Sequence, residues 1–145
     1  MNGLGNAFNY VAVADSVVTN IEDYGHVTVI VYEASASTVI SITRLKDGAG
    51  SAVIPDTITE YWTSTGGGQV WARNTQTAAD EVTTSANADN SVCIIELDVA
   101  KHINSDGGDY NQVNVEVDGS ATVQLILSEL KVKRAPQNLP AVLAS

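Results

Sequence analysis

With Cys93 as its one cysteine, the chain can close no internal disulfide and can build no cysteine-rich zinc site. Stability is left to the core or to assembly. Basic residues number seven against seventeen acidic ones, giving a net charge of −10. That imbalance opposes broad contact with nucleic acid or with anionic lipid, so neither is expected as a partner. No segment approaches the roughly 20 apolar residues that span a bilayer. The opening MNGLGNAFNY lacks the basic-then-apolar layout of an export signal, so synthesis in a cytoplasm without export is expected. Charged residues are only 17% of the chain and strong helix formers are scarce. Thr, Ser, Asn, Gly, Val and Ala are abundant, a mix that suits a sheet protein with an uncharged polar surface.

At 145 residues the chain has the size of one domain with one core. Its strongest pattern is YNQVNVEVDGSATVQLILSELKVKR, from Tyr110 to Arg134. Val113, Val115 and Val117 alternate with Asn114 and Glu116, which predicts a strand with one apolar and one wet face. Val123, Leu125 and Leu127 continue the alternation beyond Asp118-Gly119, and Asp-Gly is a favoured two-residue turn, so the expectation is a β-hairpin. Earlier, Val27, Val29 and Val31 alternate with Thr28, Ile30 and Tyr32; a strand apolar on both faces is expected to be central. Val39 to Leu45 reads as a partner strand with Ile40 and Ile42 on one face. In SVCIIELD, Cys93, Ile95 and Leu97 share a face opposite Val92 and Ile94, and Val99 to Asn104 allows one helical turn.

The middle of the chain is weaker. Pro55 breaks pairing, Ile58–Thr63 and Gln69–Arg73 read as short strands around Gly66-Gly67-Gly68, and Asn74 to Asn90 reads as a loop with one edge strand near Val82. The sum is roughly seven to nine strands at 8–12 residue spacing, the signature of an antiparallel β-sandwich, jelly-roll or Greek-key. Residues 10–134 are expected to form this all-β domain, residues 1–9 an N-terminal arm and residues 135–145 an extended tail whose prolines disfavour a further strand.

Candidate sites are few. His26 and His102 are the only histidines and sit in no catalytic motif, so structural or solvated roles are the simpler reading. Asp106, Asp109 and Asp118 fit no calcium loop and are explained by turn chemistry; no catalytic residue, metal or cofactor is expected. The triple glycine at 66–68 lacks the Lys and the helix of a phosphate cradle. Tyr61, Trp62 and Trp71 crowd three aromatics into eleven residues and are candidates for glycan stacking, with core packing as the plainer alternative. Lys131, Lys133 and Arg134 gather three of the seven basic residues just before the tail, where they suit an acidic partner or simply a solvated strand end. Leu4, Phe8, Leu139 and Leu143, with the stiffening Pro136 and Pro140, give both arms apolar anchors that a free end has no use for; these residues and the basic trio are the candidate partner-binding set.

As a whole the chain resembles small virion structural proteins of tailed bacteriophages, of the head decoration or capsid cement type. The resemblance rests on DYGHVTVIVYEAS (Asp23 to Ser35), on SVCIIELDVAKHI followed by YNQVNVEVDGSATVQLIL (Ser91 to Leu127), and on the basic-then-proline ending KVKRAPQNLPA (Lys131 to Ala141). It implies a non-enzymatic protein, made in the host cytoplasm, that binds the outer capsid surface of the virion and stabilises the head. Its implied partners are the major capsid protein and copies of itself, as a homotrimer. Two other classes stand beside it. A carbohydrate-binding module or phage adhesin would use Tyr61, Trp62 and Trp71 as stacking faces. A small hydrolase or isomerase would need a cleft holding His26 or His102.

Overall fold

The alternating segments fold into two antiparallel sheets packed face to face, a β-sandwich. The computed structural model describes residues 8–13, 18–33, 38–46, 53–65, 70–84, 91–104, 110–118 and 121–129, with backbone alone at 8–13, 33, 53–54, 65 and 102–104. One sheet contains β1 (Phe8–Val13), β3 (His26–Glu33), β6 (Ile58–Thr65), β7 (Val70–Ala79), β9 (Ser91–Asp98) and β11 (Ala121–Ser128), in the order β1-β11-β3-β9-β6-β7. The other contains β2 (Thr19–Asn20), β4 (Val39–Leu45), β5 (Val53–Pro55), β8 (Glu81–Thr83) and β10 (Gln112–Val117), in the order β2-β10-β4-β5, with β8 also paired to β4. Of the eleven described strands, β2, β5 and β8 are two or three residues long, which leaves eight of six residues or more.

β3, β4, β9, β10 and β11 each turn one row of mostly branched apolar side chains inward. Val27, Val29, Val31, Cys93, Ile95, Leu97, Val123, Leu125 and Leu127 come from the larger sheet, and they meet Ile40, Ile42, Val82, Val113, Val115 and Val117 from the smaller. Fully burying one such side chain contributes roughly 1.5–3 kcal/mol, so this double layer outweighs any other described stabilising feature. β3 is central, as its two apolar faces predict, with β11 on one side and β9 on the other.

The hairpin expected across Asp118-Gly119 does not form. β10 lies between β2 and β4 in one sheet and β11 between β1 and β3 in the other, so the chain arches across the sandwich after Val117. The physical reason is that alternation specifies which face is buried but not how: the two valine-rich faces cover each other across the roughly 10 Å between sheets instead of lying side by side. Asp118 N–H donates to Val39 O at 2.9 Å and ties the start of the arch to β4. Crossing is the rule here. Among the described strands, only β4–β5 and β6–β7 join consecutive strands within one sheet.

Three smaller expectations are also corrected. Asn74 to Ala79 is not loop but the second half of β7, which is exposed along most of its length. An edge strand needs no apolar row, and Gln76 Nε2 ties it down by donating to Ile58 O and Glu81 O. Asn114, expected on a wet face beside Glu116, is 8% exposed and donates to Glu116 Oε1 at 2.9 Å. β1 begins at Phe8, so Phe8 and Asn9 pair with Ser128 and Leu127 instead of belonging to the arm.

Candidate functional site: the outer face of the larger sheet and the cleft beside it

Opposed residues in an antiparallel ladder share a face, so the registers place the outward side chains of the larger sheet in rows. One row runs Gln124, Ile30, Ile94, Trp62, Arg73, and the next runs Thr122, Tyr32, Val92, Ser64, Trp71. Ile126 flanks Thr28 in a third. This face is therefore apolar where solvent would favour polar residues. Tyr32 is 40% and Trp71 48% exposed, while Ile30, Val92, Ile94, Ile126 and Trp62 are half-buried. Ser64, between Val92 and Trp71, is buried and its hydroxyl has no hydrogen-bond partner.

The same registers separate the aromatic trio. Trp62 and Trp71 stand on this outer face on neighbouring strands, offset diagonally because Trp62 opposes Arg73 and Trp71 opposes Ser64. Tyr61 turns the other way and packs against the core, so the three rings form no common platform.

Beside Trp62 the sheet opens. The β6–β9 ladder spans only Trp62 to Ser64 against Ile94 to Val92. Before Trp62 the β6–β9 pairing has ended, the register of β6 against β7 shifts between Ile58 and Glu60, and Ile58 is 3% exposed. The chain reaches this point from the other sheet, and the crossing is fixed by a buried ion pair. Arg44 faces inward from β4, donates to Asp56 Oδ1 at 2.5 Å, and is 8% exposed like its partner. Asp56 N–H donates to Ile42 O at 2.7 Å, and Asp56 Oδ1 also accepts from Thr57 N–H at 2.8 Å.

The gap is a cleft with two lobes that share Thr57, Thr59, Glu96 and Leu97. The outer lobe, ≈ 220 Å³, adds Glu60 and Trp62. The inner lobe, ≈ 340 Å³, adds Arg44, Asp56, Asp98 and Lys101. Glu96 is held by Thr28 Oγ1, which donates to its Oε2 at 2.8 Å, and by His26 Nε2. Glu60 is held by Arg73, whose hydrogen bond keeps its carboxyl below the usual carboxylate range; the same contact raises Arg73. Asp98 Oδ1 accepts from Ala100 N–H at 2.9 Å and caps α1 (Val99–Asn104), which carries Lys101.

Of the partner-binding residues expected from sequence, Leu4, Lys131, Lys133, Arg134, Pro136, Leu139, Pro140 and Leu143 lie outside the described residues, as do Asp106, Asp109 and the glycines at 66–68. Phe8 is placed by its backbone, opposite Ser128. His26 stands at the cleft margin through Glu96, and His102 lies in α1. No group of His, Cys, Asp and Glu suited to a metal ion occurs among the described residues. Sequence reasoning missed Arg44, Asp56, Glu60, Glu96 and Lys101, because the cleft that joins them is made by strand divergence and not by spacing. The outer isoleucines did leave a signal, in that β3 and β9 read as apolar on both faces. No protein-family model matches the chain, and no curated protein or solved structure matches it either.

Proposed function

We propose that the chain is a non-enzymatic structural protein of a tailed-bacteriophage virion, a decoration or cement protein that binds the outside of the head as a homotrimer and stabilises it. The observation that carries this reading is the apolar outer face of the larger sheet. A two-sheet sandwich needs only its inner faces to be apolar, yet Ile30, Val92, Ile94 and Ile126 repeat on the outside, with Tyr32 and Trp71 exposed among them. A contiguous outer apolar surface on so acidic a chain suits a protein partner. The resemblance to head decoration proteins supplies the partner, the major capsid protein and further copies of the chain.

The basic trio Lys131, Lys133 and Arg134 and the proline-stiffened tail after it supply a second contact, steered by charge and laid down as an extended segment. The net charge of −10 keeps such a protein off the packaged DNA. The test is a virion reconstruction combined with binding to heads stripped of their decoration. Density for the protein at symmetric positions on the head, and saturable rebinding, are expected. Its presence only in tails or fibres would overturn the assignment.

A further inference from the structure

We infer that the cleft between β6 and β9 is a binding site for a neutral saccharide of one or two rings, with Trp62 as its stacking wall. The inference does not rest on the head assignment, since it concerns a built cavity in the isolated domain. Three observations carry it together.

The first is the cavity itself. Its two lobes, ≈ 220 and ≈ 340 Å³, share four lining residues; the inner one lies at the lower end of the roughly 300–1,000 Å³ of small-molecule pockets and the outer one below it. It lies where the β6–β9 ladder stops at Trp62, and the buried Arg44–Asp56 pair fixes the chain at its inner end.

The second is the chemistry of the lining. Carboxylates Glu60 and Glu96 accept hydrogen bonds, Lys101 and Arg44 donate them, and the hydroxyls of Thr57 and Thr59 do both. The lining sets the carboxylates Asp56, Glu60, Glu96 and Asp98 against Arg44 and Lys101, so an anion is opposed by the net charge and a cation is repelled locally where it approaches Arg44 or Lys101. A neutral polyol avoids both, because each hydroxyl donates to a carboxylate and accepts from a cation. Trp62 adds the apolar flank that matches the C–H face of a pyranose ring, with a large area and few rotatable bonds. Glu96 and Glu60 are already oriented by Thr28, His26 and Arg73, so little side-chain entropy is lost when they take up a ligand.

The third is Arg44. It lines the inner lobe at 8% exposure, and its Nε has no hydrogen-bond partner. A buried guanidinium N–H without an acceptor is costly, and a small shift of the side chain toward the lobe would let a ligand oxygen supply one.

The experiment is a chemical-shift titration of the full-length, ¹⁵N-labelled protein with glucose, galactose, N-acetylglucosamine and the β-1,4-linked disaccharides of glucose and N-acetylglucosamine. Saturable shifts centred on residues 57–62 and 95–101 are expected for at least one of these sugars. Trp62→Ala should weaken that binding at least tenfold. The exposed Thr59→Val and Lys101→Ala, which leave the core intact, should weaken it severalfold. Trp71→Ala, on the same face but outside the cleft, should leave it unchanged. Absence of saturable shifts with every sugar, equal loss with Trp71→Ala, or saturation of the same residues by inorganic phosphate in place of sugar would each overturn the assignment.

Discussion

Gly25 passes so close to Glu129 that a Cβ on it would stand 2.6 Å from Glu129 Oε2 and 2.9 Å from Glu129 Cβ. The approach is fixed by hydrogen bonds, since Gly25 N–H donates to Ser128 O at 3.1 Å and to Glu129 O at 3.0 Å. Glu129 itself has φ 58, a conformation that suits glycine better than glutamate. The two residues thus exchange their expected roles at the end of β11. Gly25→Ala is expected to destabilise the domain by about 1–3 kcal/mol through overpacking. Glu129→Gly removes the two nearest atoms and the unfavourable φ, so the double variant should recover most of that loss. Urea denaturation of the four proteins of the cycle measures the coupling, and strictly additive effects would contradict the contact.

Val115 is 2% exposed between the sheets and opposes Ile42 on β4. Val115→Asp should leave the domain unfolded at neutral pH, because an unpaired buried carboxylate costs several kcal/mol against a total stability of roughly 5–15. Circular dichroism decides this, and wild-type melting would mean that the register of β10 is shifted by one residue.

How far the sequence revealed this fold depends on what each residue pattern constrains. Alternation in β3, β9, β10 and β11 fixed which side chains face the core, and those rows are the buried ones. It did not fix whether Val113–Val117 lies beside or across from Val123–Leu127, because both arrangements bury the same faces. The second half of β7, NTQTAA, carried no signal because an exposed edge strand has no apolar row to reveal it. Arg44 was hidden for the opposite reason. It occupies the inward position after Ile40 and Ile42, where a charge is tolerated only because Asp56, twelve residues on, is folded back against it. The cleft inherits that opacity.

That ion pair sits where the chain crosses between the sheets, and both partners are 8% exposed. Asp56→Ala should cost about 3–5 kcal/mol, since it leaves Arg44 charged and buried without compensation. Replacing both, as Arg44→Met with Asp56→Ala, should cost less than the single Asp56 change. Equal or greater loss in the double variant, measured by thermal or urea unfolding, would show that the pair contributes more than mutual neutralisation.

The Glu60–Arg73 contact makes a pH prediction. The hydrogen bond from Arg73 lowers the Glu60 pKa in the folded state, so its stabilisation is present above the ordinary carboxylate value and is lost as the pH falls through the lowered one. The pair is on the surface, so the effect is small and screened by salt. Glu60→Gln should therefore be less stable than wild type at neutral pH and low ionic strength, with the difference vanishing in acid and shrinking in high salt. A difference that grows as the pH drops would have the wrong sign for this contact.

The proposed head attachment has two parts, and they can be separated. Tyr32 and Trp71 are exposed on the outer sheet face, so Tyr32→Ser with Trp71→Ser should leave folding intact. If that face meets the capsid, the loss of two apolar anchors should weaken rebinding to stripped heads by at least tenfold, since each 1.4 kcal/mol is a factor of ten. Deleting residues after Arg134 removes Pro136, Leu139, Pro140 and Leu143 but keeps the basic trio. Each tail contact is weak alone, yet a tail tethered to a docked domain binds at high effective concentration, so its loss should speed dissociation from the head more than it slows association. Removing the charge of Lys131, Lys133 and Arg134 should do the reverse, lowering the association rate at low salt and mattering little at high salt. Surface-immobilised heads and the variant proteins give both rates. A truncated protein that stays folded and dissociates no faster than wild type would remove the tail from the attachment, and a face variant that still rebinds at full strength would remove the sheet.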